Sequence, residues 1–184
     1  MKNEKMYIYG EDWMHELIVE EILNKYCVQK NDWSFSKKFD FRIAKNNGDV
    51  IKQMIKVDSP CIGIIDNDKK YQRRISEFES CIDIKERRNF GVRLVEKSSN
   101  YKYLFILNPA PEKWIMNCSE ISDISISDFE LPENFKEFKI ICKKSNQDFK
   151  IKKFVKKVVN SDSSPVNQLL GSFLKLYNYH FMIH

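Results

Sequence analysis

Cys61-Ile62-Gly63-Ile64-Ile65-Asp66-Asn67-Asp68-Lys69-Lys70 is the stretch on which the fold turns. A short apolar run stops at two carboxylates spaced i, i+2, and two lysines follow at once. The run has the length and uniform apolarity of a strand buried on both faces of a parallel sheet. In open α/β sheets, ligands sit outside the carboxyl ends of such strands. Two acids placed there can hold a hard divalent cation through oxygen ligands. Asp66 and Asp68 are therefore the first candidate metal ligands.

Two more runs have the same form. Lys5 to Tyr9 (KMYIY) reads as a first strand, broken at Gly10-Glu11-Asp12. Met14, Leu17, Ile18, Ile22, Leu23 and Tyr26 then recur at helical spacing. Asp12 is placed to cap that helix by accepting from its free backbone N–H groups. Glu11 thus lies at a strand-to-helix junction. Tyr101 to Leu107 reads as a third strand, ending at Asn108-Pro109-Ala110-Pro111. Proline suits the first turn of a helix, so a helix opens at Glu112-Lys113-Trp114-Ile115-Met116. Glu112 becomes another acid just past a strand end. The spacing predicts Lys5–Tyr9, Pro60–Ile65 and Tyr101–Leu107 as neighbouring strands of one sheet.

The segments between are less uniform. Trp33 to Ile43 is mixed aromatic and basic, a strand or an irregular hairpin. Asn46-Asn47-Gly48 is a turn signal, followed by a short helix over Asp49–Val57 that Ser59-Pro60 ends. Tyr71–Phe78 reads as a helix that is basic at its start, with Arg73 and Arg74. Gly91–Glu96 reads as a short strand and Ser119–Pro132 as a polar, acidic loop. Ile151, Phe154, Val155, Val158 and Val159 form a helical stripe with lysines opposite. A turn over Asn160–Pro165 precedes a last helix, Val166–Tyr179. No internal repeat or linker divides the chain, so residues 1–184 are expected to form one domain, with 133–184 its helical, lysine-rich part. Strands alternating with helices indicate an α/β fold with a mostly parallel central sheet flanked by helices.

Composition agrees. Of 184 residues, 42% are hydrophobic and 31% charged, the balance of an ordinary globular protein. No apolar run approaches the ~20 residues of a membrane span. The first residues, Met1-Lys2-Asn3-Glu4-Lys5, lack the apolar core of a signal peptide, and a cytoplasmic location is expected. Cys27, Cys61, Cys81, Cys118 and Cys142 are scattered, as free thiols in a reducing compartment would be. His15, His180 and His184 do not fall at zinc-binding spacing. The net charge of +5 alone names no partner. Between Lys136 and Lys157, however, nine lysines face only Glu137 and Asp148. Lys152, Lys153, Lys156 and Lys157 are candidates to track phosphates, against the plainer reading of a solvated helix face.

Glu11 after the first strand, Asp66-x-Asp68 after a later one, and a helix directly after Glu11 resemble the Toprim fold of topoisomerases, primases and OLD-type nucleases. The stretch Leu107–Ile115, with prolines ahead of Glu112-Lys113-Trp114, looks like a segment of small stand-alone bacterial Toprim-like proteins. The Ser164-Pro165 step before the last helix is similar to their C-terminal end. The motif order covers residues 5–116. One feature departs from the pattern: the Toprim strand runs Glu then Gly, whereas here Gly10 precedes Glu11.

The resemblance implies a Toprim-like, Mg²⁺- or Mn²⁺-dependent nuclease that cuts DNA in preference to RNA. Asp66 and Asp68 would bind the metal, Glu11 would be a ligand or general acid/base, and Glu112 an auxiliary ligand. Lys69, Lys70, Arg73 and Arg74 lie beside those acids and suit a phosphate backbone. It also implies work with an ABC- or OLD-type ATPase subunit in anti-phage defence, with oligomerisation open and no membrane involved. The alternative is a non-catalytic interaction subunit of such a complex.

Plainer readings stand beside these. An acid after a strand is often a turn former. Glu11 and Glu112 are also first-turn carboxylates that a helix dipole favours. Asp12 reads as a cap and not a ligand, Trp114 as core and not a stacking platform, and His15 as non-catalytic. Asp68-Lys69-Lys70 also fits half of a PD-(D/E)xK nuclease motif, with Asp58 or Asp49 as its upstream acid. A phosphoacceptor receiver would need paired acids early and a lysine late, for which Lys113 is poorly placed. No Walker A motif is present, so P-loop NTP hydrolysis is not expected.

Overall fold

The structure is a computed structural model that describes residues 5–67, 92–97, 102–144 and 148–181. Asp68, Lys69, Lys70, Arg73, Arg74, Cys81 and the expected helix over Tyr71–Phe78 lie outside the described residues.

Five strands form one sheet in the order β2-β1-β3-β5-β4. They are β1 (Met6–Gly10), β2 (Phe39–Ile43), β3 (Cys61–Asp66), β4 (Val92–Lys97) and β5 (Lys102–Leu107). β1 pairs in parallel with β2 and with β3, and β3 pairs in parallel with β5; only β4, at the edge, is antiparallel. The three apolar runs are thus consecutive neighbours, as their sequences predict. The observed strand bounds differ from the expected ones by one residue: β1 takes in Gly10 and β3 takes in Asp66.

Helix α1 (Trp13–Lys30) links β1 to β2, and α2 (Asn47–Lys56) links β2 back across β1 to β3. These crossovers run in opposite directions along the sheet, so right-handed connections place the two helices on opposite faces. The cores confirm that. Ile8, Ile62, Ile64, Phe105 and Leu107 pack with α1 and the later helices. Tyr9, Cys61, Ile65, Leu104 and Ile106 pack with Val50, Ile51 and Met54 of α2. Alternate residues of each strand serve opposite faces, and all six residues of β5 are buried. Gly63 makes the α2 packing possible: a Cβ there would lie 2.2 Å from Met54 Sδ and 2.9 Å from Leu104 Cδ1.

Among the described residues four more helices follow: α3 (Pro111–Ile121), α4 (Phe135–Lys144), α5 (Phe149–Val159) and α6 (Ser164–Phe181). Pro111 opens α3 as expected, and Trp114 is core. The loop expected over Ser119–Pro132 is shorter: α3 runs on to Ile121, and Ile126–Phe129 makes a turn of 3₁₀ helix. Polar composition hid that turn, whose Ile126 is buried. Trp33–Ile43 resolves into a 3₁₀ turn at Ser36–Lys38 followed by β2. Asp148 caps α5 by accepting from the Lys150 and Ile151 N–H groups. Ile151, Phe154, Val155, Val158 and Val159 are all buried, and they join the cluster that covers the sheet. Among the described residues no helix is long and apolar enough to cross a membrane. Cys27, Cys61, Cys118 and Cys142 are buried free thiols.

Candidate functional site

The parallel register brings the strand ends to one edge of the sheet. Gly10 pairs with Ile64 and Asp66 with Leu107, so the chain leaves β1 at Glu11, β3 at Asn67 and β5 at Asn108 side by side. β1 is also where the strand order reverses, since its two neighbours are β2 and β3. A crevice beyond the carboxyl ends at such a switch point is where open α/β sheets bind ligands.

Asp66 is fixed from behind through its backbone. The buried Asn47 side chain, in the first turn of α2, accepts from Asp66 N–H at 3.2 Å and donates to Asp66 C=O at 3.3 Å. Asn67 N–H donates to Leu107 C=O, and its side chain donates to Asn108 Oδ1 at 3.1 Å. The turn after β3 is therefore tied to α2 on one side and to the turn after β5 on the other.

Facing Asp66 is a residue that sequence reasoning set aside. His15, in the first turn of α1, has no exposed surface. Its Nδ1 lies 2.9 Å from Asp12 Oδ1, and its Nε2 lies 3.2 Å from Asp66 Oδ1. The first contact is a hydrogen bond. The second falls short of hydrogen-bond alignment, leaving Nε2 and Oδ1 a close charge pair without another partner. Asp12 also accepts from the Met14 and His15 N–H groups, so the expected cap is present. The cap does two jobs, because the i, i+3 spacing that satisfies the helix end also grips the imidazole. That spacing, Asp12 to His15, was the signal available in the sequence.

Electrostatics follow from these contacts. Burial works to lower the His15 pKa, but Asp12 and Asp66 outweigh it and raise the value to about 9. Burial works to raise the Asp12 carboxyl, yet its bonds and charge contact with His15 bring it below the ordinary value. His15 is thus an imidazolium at neutral pH.

Glu112 completes the cluster. Only 2% exposed at the start of α3, it has a raised pKa, first through burial and then through the charges of Asp12 and Asp66. Its own backbone N–H and Lys139 pull the other way. The structure therefore brings Asp66 and Glu112 within electrostatic reach of each other and adds Asp12 and His15 to them. Glu11 is half-buried in the turn between β1 and α1. Gly10, where the Toprim pattern has Glu, is required sterically: a Cβ would lie 2.5 Å from Phe41 Cζ and 2.9 Å from His15 Cβ.

Whether these residues suit a metal can be tested on the donors. They are carboxylate oxygens, the ligands that Mg²⁺ and Mn²⁺ take. Asp66 Oδ1 is buried, while its side chain as a whole is 23% exposed. Among the described residues no three His, Cys, Asp or Glu side chains converge as a metal-holding group. The described donors are thus of the right type but make no complete set, and the His15 imidazole beside Asp66 already balances one charge.

The α5 lysines are spread over one solvent-facing side of the helix. Lys153, Lys156 and Lys157 are exposed and Lys152 is half-buried. Lys153 Nζ sits 4.3 Å from the centre of the exposed Phe149 ring, and Lys156 interacts with Glu21. None of these contacts reaches Asp12 or Asp66. Comparison with protein-family models, curated proteins and solved structures finds no match.

Proposed function

We propose that the protein is a Mg²⁺- or Mn²⁺-dependent nuclease of Toprim type, acting on DNA in preference to RNA. The observation that carries the proposal is the placement of Asp66 at the carboxyl end of β3, one strand from Glu11 at the switch point. Asp66 and Asp68 would hold the ion, with Glu11 and Glu112 as supporting carboxylates. When bound, such an ion activates water and stabilises the departing oxygen of a phosphodiester. Lys69, Lys70, Arg73 and Arg74 follow these acids in sequence and are suited to hold the substrate backbone. Lys152, Lys153, Lys156 and Lys157 would add affinity from α5. The resemblance to small stand-alone Toprim-like proteins supports a cytoplasmic effector that works with an ABC- or OLD-type ATPase in anti-phage defence.

A second reading, a non-catalytic interaction subunit, is favoured by one observation. The His15 imidazole already gives Asp66 a counter-charge without any metal. Mn²⁺ binding separates the two, since a scaffold need not bind it.

The test is cleavage of DNA and RNA in Mg²⁺ or Mn²⁺, with and without the ATPase. Asp66→Asn and Asp68→Ala should each abolish cleavage. Lys→Ala changes in α5 should weaken substrate binding instead, and more so at higher salt. Cleavage that survives loss of both Asp66 and Asp68 would overturn the nuclease proposal, as would a complete lack of cleavage.

A further inference from the structure

We infer that the corner between α4 and α5 binds single-stranded DNA, with Phe149 stacking on an unpaired base while Lys139, Lys143 and Lys153 hold the phosphates around it. The inference rests on the DNA-binding part of the reading just given, and it deepens it by naming the form of DNA and the surface that takes it.

The corner borders the strand-end cluster. Trp13, directly after Asp12, donates from its indole Nε1 to Cys142 C=O at 2.7 Å, which pins the last turn of α4 against the start of α1. Burial raises the Glu112 carboxyl, and Lys139 of α4 works against that rise. Burial and then the charges of Glu112, Asp12 and Asp148 raise the Cys142 thiol, so Asp148, the cap of α5, lies within electrostatic reach of the same turn. The far end of α5 lies along α1 instead, where Lys156 interacts with Glu21.

Its make-up names the occupant. Phe149 opens α5 at 66% exposure, with Lys153 Nζ 4.3 Å from the centre of its ring. Lys143 and Lys153 are exposed; Lys139 is half-buried, its Nζ 5.8 Å from the centre of the Phe135 ring. Against the lysines of α4 and α5, the two helices carry one acid, Glu137. An aromatic ring set among cations is what single strands require, since the ring takes the face of any base and the ammonium groups take the phosphates. A duplex keeps its base faces stacked on one another and has none to offer. A lipid surface would need a broad apolar face. In α4 and α5 only Ile140 and Phe149 are large, apolar and exposed, because the apolar stripe of α5 is buried in the core.

The experiment follows the full chain by fluorescence anisotropy as it binds a labelled oligothymidylate and a duplex of equal length. EDTA is present, so no cleavage intervenes. Phe149→Ala should weaken single-strand binding ~5-fold or more and leave duplex binding unchanged. Phe149→Trp should keep the affinity; Phe149→Leu, apolar but without a π face, should not. Lys143→Gln should instead lower the slope of log affinity against log salt by ~0.7, a slope that Phe149→Ala leaves alone. Equal losses for single strand and duplex overturn the inference, as does wild-type affinity in Phe149→Leu. So do tighter binding to oligouridylate RNA and binding to anionic phospholipid vesicles in place of DNA. If the expected pattern appears in a protein that cleaves nothing, the inference stands and the nuclease reading falls. If DNA is cleaved while Phe149→Ala binds the single strand as the wild type does, the nuclease reading stands and the inference falls.

Discussion

Helix α1 buries two basic side chains, His15 near its start and Lys25 ten residues later, and treats them in opposite ways. His15 is enclosed by carboxylates, Asp12 and Asp66. Lys25 is enclosed by neutral oxygens: its Nζ donates to Ser161 C=O at 2.7 Å and to Asn167 Oδ1 at 3.2 Å. The pKa of His15 is raised; that of Lys25 is lowered, chiefly by burial, with Asp162 only partly opposing. Two buried cations on one helix thus mean different things. Lys25 is a clamp joining α1 to the α5–α6 turn and α6. His15 belongs to a charged cluster at the strand ends, where Glu112 is held near two other acids. A fold seeking stability alone has no reason to gather like charges; a site has.

The largest effect should come from removing the feature that separates the two ends. Asp66→Ala should abolish cleavage and also destabilise the protein by roughly 2 kcal/mol, less than for a fully broken buried pair because Asp12 remains. From sequence, with Asp66 in a purely repelling cluster, no stability loss is expected; the His15 contact reverses that. Denaturant unfolding beside a cleavage assay checks both.

Next comes pH. The folded His15 pKa of about 9 lies above its ordinary 6.5. The stabilisation from the imidazolium is therefore fully present below about pH 6.5 and lost as pH rises through about 9. Melting temperatures of the wild type and His15→Gln should lie furthest apart near pH 6 and converge by pH 9.5. A gap independent of pH would mean that His15 is not charged in the fold.

Lys25→Met should matter less, by under ~1 kcal/mol, because exchanging a buried ammonium for an apolar chain of similar length removes a desolvation cost along with two hydrogen bonds. A loss above ~3 kcal/mol would show that Lys25 and His15 are equally dependent on their partners. The smallest effect is expected from Asn167→Asp, which gives Lys25 one carboxylate and so makes its surroundings resemble those of His15. A gain of a few tenths of a kcal/mol, with a raised Lys25 pKa by NMR, is the expected result.

Much of the scaffold was legible in the sequence for a definite reason. The runs at Ile8, Ile64 and Phe105 are short and nearly all apolar, and only a strand covered on both faces uses such runs. Asp12 as a cap and Pro111 as a helix opener are local matters, decided within one turn of backbone. The apolar stripe of α5 was equally plain, because the 3.6-residue period is written along the chain. The acids at the strand ends could be nominated, since each follows its own strand directly.

What only the tertiary structure decided is which of those acids meet, and through what. Asp66 lies 51 residues from His15 in the chain, yet their side chains touch. That contact depends on β1 and β3 being adjacent and in register, and no local pattern encodes register between distant strands. The same holds for Gly10. In the sequence it is a residue out of place; in the fold it is the only residue that fits between Phe41 and His15. Periodicity and capping are short-range and survive in the linear order of residues, whereas burial and charge depend on what the rest of the chain brings alongside.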